Sequence, residues 1–126
     1  MELKLLKCKS CGKIVERLPG THGCATVCCG SPMVELTANS QEASLEKHIP
    51  VVLIDGNHVH VQVGSVEHPM IEEHHIQFIY LVTDKAVHRI DLTPGNKPVA
   101  DFYIENEKPL KVYEYCNLHG LWVKEL

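Results

Sequence analysis

The sequence holds no long apolar run, and nothing in it approaches the roughly 18 consecutive apolar residues of a membrane-spanning helix. Its first residues, Met1 to Cys8, carry no extended apolar core and no small-residue cleavage site. A secretory leader is therefore not expected, and a cytoplasmic location is. Positive charge is also in short supply: 12 Lys and Arg stand against 16 Asp and Glu, a net charge of -4. Broad nucleic-acid binding needs a basic face and is excluded. The same deficit means that any attraction for an anionic substrate must come from a local patch. Internal repeats and low-complexity tracts are missing, and so is any convincing amphipathic helix. What remains, 44% hydrophobic and 22% charged residues, is ordinary for a packed globular core.

Nine histidines and six cysteines stand out against that background. Imidazole is the commonest metal ligand, and in a reducing compartment cysteines bind metal more often than they pair. The stretch Cys116-Asn117-Leu118-His119 offers a thiolate and an imidazole three residues apart, with Gly120 freeing the backbone behind them. Three upstream histidines can complete a site with it: His48, in Glu46-Lys47-His48-Ile49-Pro50, and the pair His68 and His74. Pro69 rules out a regular strand between that pair, so a loop is implied. His48 precedes Ile49-Pro50, an expected extended entry into the first strand of the sandwich. Singly, each ring reads as a hydrogen-bonded or surface imidazole; together, beside a lone cysteine, they read as a site. Four imidazoles and one thiolate make neither a Cys-rich structural zinc set nor a hydrolytic zinc set with three protein ligands. A mixed nitrogen and sulfur shell with a free position suits a redox-active first-row metal, iron before others.

The other histidines carry plainer expectations. His58 and His60 alternate with Val59, Val61 and Val63, so they belong on a solvated outer strand face rather than in a metal pair. His75 should point away from its neighbour His74. His22 sits in a Gly-rich turn and His88 on a charged strand.

Residues 1 to about 37 hold five of the six cysteines, turns at Pro19, Gly20, Gly23, Gly30 and Pro32, and little that could make a core. So short a segment needs a staple, and a metal held by four thiolates would supply one. Cys8-x-x-Cys11 with Cys28-Cys29 is the leading set, although adjacent cysteines should diverge and strain a tetrahedron. Cys8, Cys11, Cys24 and Cys28 are a rival set, and a redox disulfide between Cys8 and Cys11 is another reading. Spacing alone does not separate iron from zinc. After the polar linker Thr37 to Ser44, short strands follow at close intervals: Val51 to Ile54, Val59 to Val63, Ile76 to Val82, Ala86 to Leu92, Val99 to Glu105, Lys111 to Tyr115 and Leu121 to Val123. The expected fold is mostly β: a small metal-stapled module over residues 1–37, then an immunoglobulin-like β-sandwich over 38–126.

Two metal sites in a short chain point to electron transfer. The rivals are a zinc-binding interaction module and a carrier whose second metal never meets substrate.

The sequence resembles desulfoferrodoxin, the two-iron form of superoxide reductase. Cys8-Lys9-Ser10-Cys11-Gly12 through Val27-Cys28-Cys29-Gly30-Ser31-Pro32-Met33 is similar to its desulforedoxin-like module. Glu46-Lys47-His48-Ile49-Pro50, Gly64-Ser65-Val66-Glu67-His68-Pro69-Met70, His74-His75-Ile76 and Cys116 through Trp122 are similar to its neelaredoxin-like domain. The resemblance implies two irons: a rubredoxin-like centre on Cys8, Cys11, Cys28 and Cys29, and a second on His48, His68, His74 and His119 with Cys116 axial. It implies that superoxide takes one electron and two protons at an open sixth position and leaves as hydrogen peroxide. Lys47 would draw in the anion and Glu46 would close the ferric site. Rubredoxin or a similar small carrier would supply electrons, and the chain would form a homodimer. Cys24 falls outside the family's ligand pattern, and His75 stands where an aromatic residue is usual.

Overall fold

The computed structural model describes residues 2–20 and 23–126. His22 lies outside the described residues. The C-terminal part is a sandwich of two antiparallel sheets. Strand β6 (Pro50–Asp55) turns through Gly56, at φ 59°, into β7 (His58–Val63), and β10 (Val99–Tyr103) pairs along the other side of β7. The second sheet runs in the order β12 (Gly120–Glu125), β11 (Pro109–Cys116), β8 (Ile76–Thr83), β9 (Val87–Asp91). The two-residue alternation of β7 sends Val59, Val61 and Val63 into the space between the sheets, where they meet Ile79, Leu81, Phe102 and Val112. All three valines are fully buried, each contributing about 1.5–3 kcal/mol by removal from water.

The outer face of the four-stranded sheet is covered as well. Tyr80, Val82, Tyr113, Tyr115 and Leu121 pack against Leu3 and Leu5 from the N-terminal segment. This explains why β8 is apolar on both faces. It also corrects the expectation that residues 1–37 hold little core: Leu3, Leu5 and Leu6 are buried, two of them against the sandwich. The N-terminal segment forms a sheet of β2 (Ile14–Glu16), β1 (Leu5–Lys7) and β5 (Val34–Glu35), beside a small hairpin of β3 (Val27–Cys28) and β4 (Ser31–Pro32). Two polar ties reinforce the contact. The Lys7 ammonium donates to the Tyr115 hydroxyl at 2.9 Å, and the Tyr80 hydroxyl donates to Glu16 at 3.0 Å.

The sequence pattern gives no sign of the local structure at His48. This residue lies at the end of a one-turn helix, α1 (Leu45–His48), that follows Ser44. Ile49 then becomes extended ahead of Pro50, which cannot continue a helix. Compressing Glu46, Lys47 and His48 into one turn places all three beside the same end of the sandwich.

Candidate metal centres

Near the N-terminus Cys8, Cys11, Cys28 and Cys29 converge, while Cys24 stays exposed and outside the cluster. The Cys11 and Cys28 sulfurs are 3.7 Å apart and those of Cys28 and Cys29 3.9 Å. Four thiolates at about 2.3 Å from one tetrahedral ion have edges of about 3.8 Å, so the set fits an ion. The vicinal pair avoids the expected strain through its backbone. Cys29 takes a left-handed φ of 54°, which turns its sulfur back beside that of Cys28. The Cys11 backbone N–H, 3.5 Å from the Cys8 sulfur, lowers the Cys8 thiol to about 6. Hydrogen bonding with the Cys8 and Cys11 sulfurs pushes Cys28 up to about 12, and the same pair pushes Cys29 upward too. Four thiolates cannot all ionise side by side without a cation, and a bound cation would remove that penalty.

The second cluster gathers donors from α1, the loop before β8, and the β11–β12 turn. The ring centroids of His48 and His68 are 4.8 Å apart, His68 and His74 4.6 Å, His74 and His119 5.1 Å, and His119 and His48 4.9 Å, with a 6.5 Å diagonal from His48 to His74. Those separations describe a near-square of rings. His48 Nε2 lies 3.2 Å from both His68 Nε2 and His119 Nδ1. Neighbouring ligands in a square plane with bonds of about 2.1 Å are separated by about 3.0 Å, so the rings fit one ion. The Cys116 sulfur joins His48, His68 and His74 in one compact set of donors, and His119 Nδ1 borders that set, 3.9 Å from the sulfur.

The tautomers agree with that fit. His48 Nδ1 donates to the Ser44 carbonyl and His68 Nδ1 to the Pro69 carbonyl, each at 2.7 Å. Their inward Nε2 atoms therefore carry lone pairs, which repel unless a cation sits between them. His74 Nε2 is buried with no hydrogen-bond partner among the described residues. Burial pushes the His68 imidazole down to about 4 and lowers His48 and His74 as well. Neutral rings are the form that binds metal.

The Desulfoferrodoxin family model matches residues 40–125. The chain is similar to the desulfoferrodoxin of Syntrophotalea carbinolica, 49% identical over 124 residues that cover 98% of this chain and 97% of that one. The chain belongs to the desulfoferrodoxin family. It is also 34% identical to a superoxide reductase of Pyrococcus horikoshii over 75% of this chain and 97% of that protein. Its fold is similar to the crystal structure of the superoxide reductase from Treponema pallidum, with a TM-score of 0.83, 32% identity and 98% of each chain covered. Among the described residues no helix is long and apolar enough to cross a membrane.

Within this desulfoferrodoxin framework, the other expected residues differ in their relation to the histidine square. Lys47 is exposed, and its charge helps to lower His74, behind burial and His119. Glu46 is exposed and is not among the clustered donors; it lines a cleft of about 430 Å³ with Leu45, Pro50 and Ser65. Its carbonyl accepts from the Val66 N–H at 3.0 Å and the Ser65 hydroxyl at 3.2 Å. Gly64 makes this seat possible: a Cβ there would come 2.6 Å from the Glu46 carbonyl oxygen. His75 turns aside to the Ile71 carbonyl at 3.1 Å, as expected of a residue next to an inward ring.

Sequence reasoning assigned no support role to Trp122 or Asn117. Trp122 stacks on His48 at 4.9 Å and donates its indole N–H to the His119 carbonyl at 3.0 Å. The Asn117 side chain accepts from the His75 N–H at 2.9 Å and donates to the Glu73 carbonyl at 3.0 Å. It thereby clamps both neighbours of His74 to the loop that carries Cys116 and His119. The one available signal was position, since Asn117 lies between two candidate ligands. Asn117→Ala is expected to weaken metal retention at this site by about 10–100-fold while sparing the thiolate cluster. Chelator challenge followed at both chromophores measures this; equal retention in wild type and variant refutes the clamp.

Two further features shape the sulfur. Burial raises the Cys116 thiol, and the backbone amides of His119 and Leu118 oppose that rise by hydrogen bonding to it. Glu114, on the same strand, is fully buried, and neither of its oxygens has a hydrogen-bond partner among the described residues. Burial holds its carboxyl well above the usual range.

Proposed function

We propose that this chain is a two-iron superoxide reductase that converts superoxide to hydrogen peroxide at the cluster of His48, His68, His74, His119 and Cys116. The observation that carries the reading is the near-square of imidazoles with one buried sulfur beside it and an exposed lysine next to His48 in the chain. A hydrolytic or structural zinc site has no use for that donor set. Iron held there supplies a one-electron couple, and iron on Cys8, Cys11, Cys28 and Cys29 supplies an electron-storage centre. The chain then divides into an electron-accepting module, 1–37, and a catalytic sandwich, 38–126. Superoxide detoxification in the cytoplasm, a rubredoxin-type donor and a homodimer complete the proposal.

The protein's own residues have separate tasks. Burial disfavours protonation of His48, His68 and His74, leaving their lone pairs available to a metal. The amides at Leu118 and His119 oppose the rise that burial imposes on the Cys116 thiol, and would tune how strongly its sulfur donates charge to a bound metal. Lys47 supplies the local positive field that the net charge of -4 does not, raising the rate of anion capture. Glu46, on the same turn, closes the oxidised site between turnovers.

Lys47→Ala is expected to slow superoxide capture roughly 10-fold at low salt and to flatten its salt dependence, with iron content unchanged. Pulse radiolysis at two ionic strengths tests this; an unchanged rate removes Lys47 from the mechanism. Glu46→Ala should leave the capture rate intact and shift the visible spectrum of the oxidised second centre. Identical oxidised spectra in wild type and variant would exclude Glu46 as the closing group. Metal analysis of natively expressed protein, with its visible spectrum, separates this reading from a zinc module, because zinc thiolates are colourless.

A further inference from the structure

We propose that His58, His60 and Asp101 form a third cation site, on the outer face of the three-stranded sheet, suited to a borderline divalent ion such as zinc. His58 and His60 are two residues apart on β7 and share one face. Strand register then brings in the third donor. Asp101 on β10 is the Cα partner of His60, and its Oδ1 lies 2.6 Å from His60 Nδ1 and 2.8 Å from His58 Nε2. All three donor atoms fall within 4.8 Å of one another, the same spacing that gathers donors in the two clusters described above.

The chemistry of the set is selective. Two imidazoles and a carboxylate match zinc and its neighbours, whereas calcium and magnesium prefer oxygen ligands throughout. Donors at about 2.0–2.2 Å from a single ion lie about 2.9–3.5 Å apart, so small side-chain rotations convert the present hydrogen bonds into ligation. The donors are partly pre-organised. Tyr103 stacks on His58 with ring centroids at 4.8 Å and planes 9° apart, holding that ring upright on the sheet. His60 also borders an open cleft of about 370 Å³ lined by Gln62, Glu67 and Lys97, which leaves room for water or a small anion to complete the shell. Hydrogen bonds from His60 and His58 lower the Asp101 carboxyl, keeping it ionised and ready to bind. A metal bridging β7 and β10 would cross-link two strands of the sheet without touching the redox centres.

The test is calorimetric titration of the iron-loaded protein with zinc chloride, with both iron chromophores monitored throughout. The expected result is one zinc taken up per chain with no loss of iron absorbance, together with a zinc-dependent rise in Tm. The His58→Ala/His60→Ala double variant and Asp101→Asn should lose that equivalent and the Tm rise, with superoxide reduction unchanged. Cys24→Ser should keep both. No zinc uptake by the wild type, or equal uptake by the double variant, overturns the proposal.

Discussion

Cys116→Ser is expected to abolish superoxide reduction and to erase the sulfur-to-metal charge-transfer band of the second centre, while the bands of the thiolate cluster persist. Cys116 is fully buried, and its sulfur is the lone soft donor in a group otherwise made of imidazoles. Burial raises its thiol, yet the amides of His119 and Leu118 stabilise the ionised form, and a cation would complete the ionisation. A serine hydroxyl in the same place is smaller, harder and far less acidic, so it offers the metal little charge. Changes outside the direct ligands of metal sites cost about 10–100-fold in affinity or activity; losing the axial donor itself should exceed that. The measurement is pulse radiolysis with the visible spectrum of the same sample. A serine variant that keeps both its band and its rate would falsify the axial thiolate.

Trp122→Ala should be the most damaging change outside the direct ligands. The indole is buried, stacks on His48 and donates to the His119 carbonyl, so one side chain positions two adjacent rings of the square. Removing it leaves a cavity and an unpaired carbonyl, costing about 3–5 kcal/mol for the cavity and about 1–3 kcal/mol for the lost partner if water cannot reach it. Urea denaturation reads the stability, and chelator challenge reads the loosening of the site. Trp122→Phe separates the two effects: it keeps an aromatic face against His48 and loses the hydrogen bond, at about 0.5–1.5 kcal/mol. Wild-type metal retention in Trp122→Ala would show that the ring only fills space.

The alternation of Val59, Val61 and Val63 and the turn before them were enough to place the β6–β7 hairpin, because burial on one sheet face imposes that period. The second sheet was legible as strands but not as a layer. Tyr80, Val82, Tyr113 and Tyr115 look like one more sandwich face until Leu3 and Leu5 are seen to cover them from the distant N-terminus. The metal donors were legible because His and Cys are scarce chemistry at informative spacings. Their supports were not: Trp122 reads as core, and the role of Asn117 depends on a loop more than 40 residues away. The extended entry at Ile49-Pro50 was legible, but the one-turn helix before it was not, because four residues leave no period to detect. Asp101 illustrates the same limit on the outer sheet face. Nothing in the chain order of β7 and β10 shows that it lies opposite His60, since register is a property of the folded ladder.

The central claim is that a cluster of four imidazole rings and one sulfur reduces superoxide rather than dismutating it. Product analysis after a measured pulse of superoxide, delivered to the fully reduced protein, tests it most directly. The account predicts one hydrogen peroxide for each superoxide consumed, with no dioxygen released. Half that yield of peroxide, accompanied by dioxygen, would contradict it.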